Sequence, residues 1–430
     1  MSHSTISKDT LDFRKKSSSE PDWLYSKRLQ SWDSYMDSPL PDRVKHLWRY
    51  TEPDNFVLSN PAAVMKTNSP LSLGQMSNGL NAESPHSAIA YRKADATVGV
   101  MLSSELLENQ VILKDLASAI KGNPDIAEQH LGRLVNTQTG KFEALNLALW
   151  HEGFLLYIPD NTVVTKPIYL DRRPLSGSTV TRLLVIVGRN AEATIIDDYA
   201  ARDGLKTVDL NGAVELFAGE SSRVRYVSLQ RLAPGTRTYM TQRLHADRQA
   251  NIYSVFGSFG SSVAKLDLGT ILAGPGAESQ MYGLAFGDGK QHFDHHTVHH
   301  HVSGETYSNL DVKVVLKNKA VSAYTGLIRI EEDADNSEAY QENRNLLLNH
   351  GARAESIPEL EILTDQVSCS HGATVGPVDP GMIFYLQSRG FSKDEAIKAI
   401  ISGFVEPTLK VVPDDLRKIL MNAVTEKVEA

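Results

Sequence analysis

The sequence predicts a mostly β protein, a parallel β-helix core flanked by N-terminal and C-terminal helical regions, and three observations carry that prediction. Strand-like segments that open on small or polar residues start near Ala191, Ser221, Gln249, Ala277, Ala320 and Ala352, at successive offsets of 30, 28, 28, 43 and 32 residues. Gly- and Asn-containing turns divide these segments and no helical period lies between them, the pattern of stacked coils in which each rung buries its face only against its neighbours. Helical periodicity is concentrated toward the two ends of the chain. An antiparallel sandwich, with strands every ~8–12 residues, is the competing reading. The nearly constant phase of the segment starts favours the coil.

The elements follow in order. Residues 1–20 are polar and Ser-rich and read as a solvated tail. Beyond Pro21, Tyr25, Leu29, Trp32 and Met36 recur at helical spacing. The stretch LPDRVKHLWRYT (40–51) reads as a loop and short helix that places Trp48 and Tyr50, and residues 52–85 as an irregular connector. AIAYR and TVGVML then suggest short strands, and 104–136 a helical alternation. ALNLALWHEGFLLYIPDNTVVTKPIYL (144–170) ends a helix, turns at Glu152-Gly153, and continues as two strands about a turn at Pro159-Asp160-Asn161.

The strand pattern stops at Gly376. Asp379 is placed to cap a helix with Pro380 at its first position, Met382, Ile383 and Leu386 line one face, and Gly390 ends it. Ser392 and Glu395 form a capping box for a second helix with Ala396, Ile397, Ile400 and Ile401 on its apolar face. Pro407 and Pro413 are expected to interrupt it, and DDLRKILMNAVTEKVEA to finish as a third helix. The expected regions are therefore 1–140, mixed and helical; 141–377, the coil; and 378–430, helical.

Composition narrows the function classes. A net charge of −8 disfavours nucleic-acid binding, which needs clustered cations to neutralise phosphates. No apolar run approaches the ~20 residues of a membrane span, and the N-terminus has no apolar signal core. One cysteine excludes an internal disulfide framework, in keeping with a reducing compartment, so a cytoplasmic location is expected.

Six of the 14 histidines fall in QHFDHHTVHHHV. On a strand His295, His299 and His301 share one face with Thr297, and His292, His296 and His300 the other with Asp294 and Val298. His295 and His299 are thus candidate metal ligands. No HExxH accompanies them, and residues two apart on a strand stand ~7 Å from each other, so a structural or interface role is preferred. Cys369 is either inert core or a reactive thiol. Ser368 and Ser370 flank it, and His371 lies on the same face, close enough to favour a thiolate or share a metal. A single thiol cannot hold an iron-sulfur cluster alone, because such clusters commonly take four thiolates. GLAFGDGK (283–290) fails the phosphate-loop spacing, with Gln291 where Ser or Thr belongs, and no GxSxG elbow is present. Glu359 and Glu361 in PELEI leave open a carbohydrate-active enzyme built on paired carboxylates.

With those residues set out, the blocks NLLLNHGARAESIPELEI (345–362), CSHGATVG (369–376) and FYLQSRGFSKDEA (384–396) resemble the SufB/SufD family of iron-sulfur cluster assembly proteins. DHHTVHHHV (294–302), residues 144–168 and WRYT (48–51) support the resemblance. It implies a right-handed parallel β-helix, pairing of SufB-like and SufD-like chains through their coils, and a nascent cluster formed near the joint. It also implies docking of the ATPase SufC on the C-terminal helical region, here Phe384, Tyr385, Leu386, Arg389, Gly390 and Phe391. The chain is similar to the SufD-like members in carrying CSHGAT, and it lacks a further upstream cysteine of SufB-like ones. Cys369 and His371 match the residues offered at the joint. The resemblance thus implies a non-catalytic assembly subunit with ATP hydrolysis in SufC, a cluster present only transiently in the complex, and a homodimer through the coil edge when the chain is isolated.

Overall fold

A computed structural model describes residues 11–12, 15–16, 19–43, 46–58, 80, 83–93, 97–174, 177–410, 412 and 414–429. The expected tail at 1–20, the connector at 52–85 and Pro413 therefore lie wholly or partly outside the described residues.

The N-terminal part holds α1 (Asp22–Asp37), 3₁₀ turns at His46–Trp48 and Pro53–Phe56, β1 (Ala88–Arg92), β2 (Val98–Leu102), α2 (Ser104–Glu108), β3 (Ile112–Asp115), α3 (Leu116–Gly122), α4 (Pro124–His130) and α5 (Lys141–Leu149). The helical alternation expected over 104–136 is thus broken by a strand. The run Val111-Ile112-Leu113 suits a pleated surface, and β3 closes the edge of β4 (Glu152–Ile158) in antiparallel register.

The coil consists of β4 followed by β5 (Ile168–Asp171), β6 (Ser178–Val187), β7 (Glu192–Ala200), β8 (Asp209–Ala218), β9 (Arg223–Arg231), β10 (Arg237–Ala246), β11 (Asn251–Ser258), β12 (Val263–Leu272), β13 (Glu278–Gly287), β14 (His292–His301), β15 (Tyr307–Leu316), β16 (Val321–Ile330), β17 (Ser337–Leu347), β18 (Arg353–Ile362) and β19 (Val367–Pro377). Even-numbered strands stack in one parallel sheet and odd-numbered strands in the other, so each consecutive pair is one of eight turns of a parallel β-solenoid. The 43-residue step is a change of sheet. Ala277 precedes β13 in one sheet and Ala320 precedes β16 in the other, and the start at Tyr307 escapes notice because Thr306 and Tyr307 lack the small-residue signature.

Alternate residues of each strand point into the coil. A row such as Leu183, Val214, Gln242, Leu268, Thr297, Gly326 and Pro358 therefore runs from turn to turn in register. Burying each large apolar side chain stabilises the fold by roughly 1.5–3 kcal/mol, and the main core cluster extends from Ala88 to Ala352. The corners need a left-handed residue, and Asn161, Asn190, Asn318 and Asn336 supply it at φ between 55° and 60°. Asparagine tolerates that region better than most residues with a Cβ. Stacked corners also bond to one another, with Asn190 Nδ2 donating to Asn161 Oδ1 at 3.1 Å.

After the coil come α6 (Pro380–Ser388), α7 (Lys393–Lys410) and α8 (Asp414–Glu429). Pro407 does not interrupt α7, which continues to Lys410. A proline inside a helix costs ~3 kcal/mol. Burial of Ile401, Val405 and Leu409 in a cluster with Val227, Leu284, Phe286 and Val315 of the odd-numbered sheet offsets it.

Candidate functional site

The two ends of the solenoid are built differently. At the N-terminal end β2 and β3 close the two sheets with antiparallel strands. At the other end β18 and β19 are the last strands of their sheets and pair on one side only. None of their residues is fully buried, and Leu360, Ile362, Leu363 and Val375 are exposed apolar groups. Leu360 is in register with the buried Ile328, and Val375 with the buried Asn345. Their side chains therefore continue the coil interior into an uncovered mouth.

Cys369 and His371 sit on the inward face of β19, in register with Ala339 and Gln341. The thiol is half-buried against Ile328, Ile330, Ala334 and Ala339, whereas the imidazole is exposed. Burial pushes the Cys369 thiol above its ordinary range, opposed only by a backbone hydrogen bond from Ala339. That burial comes from side chains on other strands, not from the neighbour two residues on.

The histidine run forms β14, and its two faces do different things. Facing inward, His295 Nε2 pairs with Ser258 Oγ at 2.9 Å, His299 Nε2 with Ser279 Oγ at 3.1 Å, and His301 with Thr306 Oγ1 at 2.7 Å and Ser308 Oγ at 2.8 Å. Burial lowers all three, to about 4, about 3 and about 4 respectively. His295 and His299, the metal candidates, thus each hold a serine in the core. Among the described residues no group of three His, Cys, Asp or Glu side chains is placed to hold a metal ion.

The outward face binds the N-terminal segment. Thr51 Oγ1 donates to Asp294 Oδ2 at 2.5 Å and contacts His292 Nε2 at 2.8 Å, while Lys265 Nζ donates to Asp294 Oδ2 at 2.9 Å and to the Leu47 carbonyl at 2.6 Å. Trp48 stacks on Tyr239 and receives the Lys265 ammonium over its ring at 4.8 Å. The WRYT stretch and the histidine run, remote in sequence, are one contact. Sequence reasoning missed Lys265, whose available signal was a lysine in the strand VAKLDLGT one coil before Asp294.

On the C-terminal side, Asp379 caps α6 by accepting from the Gly381 N–H at 2.8 Å, and Ser392 and Glu395 make both bonds of the capping box. The helix buries none of its residues: Phe384 is 72% exposed and Tyr385 56%, with Met382 and Phe391 beside them. Leu386 is half-buried, Arg389 lies 5.0 Å from the Tyr385 ring centre, and Gly390 ends the helix at φ 96°. Glu359 and Glu361 lie on the outer face of β18, where Glu361 meets Arg329 at 3.4 Å, rather than facing each other across a cleft.

Comparison with known proteins gives two family matches. Residues 172–404 match the profile described as SUF system FeS cluster assembly, SufBD core domain, and residues 83–170 match the SufBD protein N-terminal region. The chain is 29% identical over 422 residues to the iron-sulfur cluster assembly protein SufD of Bacillus subtilis (strain 168), covering 95% of both chains. It is 26% identical over 423 residues to SufB of the same organism, covering 95% of this chain and 90% of the relative. A SufBD family protein of Staphylococcus haemolyticus (strain JCSC1435) is 25% identical over 413 residues, covering 93% and 88%. Identities of 29% and 26% do not separate the SufD-like from the SufB-like branch.

Proposed function

The chain belongs to the SufBD family of the SUF iron-sulfur cluster assembly system, and on that premise we propose that it is a SufD-like scaffold subunit that pairs with a SufB-like chain through the uncovered mouth of its coil. The observation that carries this reading is the last turn. Both sheets end there on a strand with one unpaired edge, and Cys369 and His371 face into the opening. Unpaired strand edges and exposed apolar side chains invite a second chain.

In this reading the nascent cluster is cargo, formed at the joint between the two coils, and the subunit itself is non-catalytic and cytoplasmic. His371 offers a nitrogen ligand or positions a proton, and Cys369 is the neighbouring thiol. The neutral state of Cys369 gives it work to do only once a partner's charges or a metal lower its proton affinity. The ATPase SufC docks on the aromatic face of α6, at Phe384, Tyr385, Leu386, Arg389, Gly390 and Phe391, where exposed aromatic and arginine side chains make a good anchor. In the absence of SufB, two copies meet through the same edge.

The test is co-expression with a SufB-like chain and SufC. His371→Ala is expected to leave the three-protein complex intact in pull-downs and to lower bound iron and sulfide about tenfold, the lower end of the loss that follows when a group supporting a metal site is removed. Phe384→Ala with Phe391→Ala is expected to lose SufC while retaining the SufB-like chain. Full cluster content in the His371→Ala complex refutes the shared pocket.

A further inference from the structure

Where the C-terminal helix crosses the corners of the coil there is a cavity of about 570 Å³ that neither the coil mouth nor the α6 face uses. Small-molecule sites commonly run from roughly 300 to 1,000 Å³. One wall is made by corners of three successive turns, at residues 231–234, 259–262 and 288–291, and the other by α8 at Ala423, Glu426 and Lys427. Leu232, Pro234, Phe259 and Ala423 give it an apolar lining. Arg231, Lys290 and Lys427 bring cations to it from three separate elements.

The cavity is held open by a specific device. Gln291 Nε2 donates to the carbonyls of Phe259, Gly260 and Ser261, the last at 2.7 Å, and Gln291 Oε1 accepts from the Asp288 N–H at 3.0 Å and from Lys427 Nζ at 2.5 Å. The residue that spoils the phosphate-loop spacing is thus the one that pins α8 to the corner stack. Two carboxylates also reach the cavity. Asp288 is occupied by the Gly289 N–H and by Asn318 Nδ2, both at 2.6 Å, and Glu426 acts on Arg231, whose guanidinium already donates to Asp198. Burial lowers the Lys427 ammonium, and Lys317 pushes it the same way against Asp288. An added anion offsets the cost of burying that ammonium.

We propose that this cavity binds a small phosphomonoester with an aromatic body, the ring lying on Leu232, Pro234 and Phe259 and the phosphate held between Lys290 and Lys427. Lysine serves phosphate as a mobile point charge, which suits one lysine on an exposed turn and one on a helix. The size and the apolar lining exclude a bare phosphate as the best-fitting occupant, and the two ammonium groups of Lys290 and Lys427 favour an anionic group over a neutral ring.

Isothermal titration of the full chain with AMP as probe, beside adenosine and inorganic phosphate, tests the assignment. AMP is expected to bind more tightly than either component, and less tightly as salt rises. Lys290→Ser, on a turn where it supports no packing, is expected to weaken AMP about threefold to fivefold, the size of one partly exposed ion pair. Lys427→Met is expected to weaken it by at least as much, and its melting temperature reports whether α8 stays docked. No heat from AMP at millimolar concentration, equal binding of adenosine and AMP, or unchanged AMP affinity in Lys290→Ser overturns the proposal.

Discussion

His295 and His299 exchange water for one hydroxyl each and His301 for two, and a charged imidazole could not make that exchange in the interior of the coil. In the unfolded chain these side chains take up protons near pH 6.5, whereas in the fold they do so only near 4, 3 and 4. The unfolded state therefore binds more protons as pH falls through 6.5. Stability is fully present above that value and drains away between about 6.5 and 4 for His295 and His301 and down to about 3 for His299, by as much as ~1.4 kcal/mol per pH unit for each histidine. Urea denaturation from pH 7.5 to 5 is expected to show this slope, and His299→Gln is expected to make it shallower by about one proton; an unaltered slope refutes the assignment. The adjacency of Cys369 and His371 was legible in the sequence, because alternation alone puts i and i+2 on one face. The protonation of Cys369 was not, because Ile328, Ile330 and Ala339 come to it from strands that no local pattern names.

Among the elements, the loop between α4 and α5 is held to the coil by one carboxylate. Glu215 on β8 accepts from the N–H groups of Gly132, Leu134 and Val135 at 2.7–3.1 Å, and it pairs with Arg182 on β6 at 2.7 Å with both side chains fully buried. Removing one partner leaves a charge in the interior without compensation. Glu215→Ala is expected to cost about 3–5 kcal/mol in chemical denaturation and to raise hydrogen exchange at residues 132–135, since breaking a buried pair is far more damaging than losing an exposed one. Stability within about 0.5 kcal/mol of the parent would show that the loop is held by packing instead. Sequence patterns caught the strands, the cap at Asp379 and the box at Ser392 and Glu395, all short-range devices. They missed β3, the change of sheet after Ala277 and the passage of α7 through Pro407, because each is decided by what the segment packs against. Glu215 likewise reads as one polar residue in an apolar strand until the loop is seen above it.

At the scale of the molecule, eight turns share one axis, and the proposed association uses the mouth at one end of it. Leu360 and Val375 lie at the mouth, and neither belongs to a core cluster of the chain. Leu360→Lys with Val375→Lys is expected to turn a dimeric isolated chain into a monomer in sedimentation velocity, with its stability changed by less than about 1 kcal/mol, as for exposed sites. A dimer that survives the double change places the contact elsewhere. At the N-terminal end the antiparallel strands β2 and β3 are likewise the last of their sheets, each paired on one side. Rods of stacked rungs meeting head to tail would add copies without limit, as open heterologous contacts do, and grow into fibres. In the proposed dimer the meeting is mouth to mouth, each opening covering the other, so association through that contact halts at two.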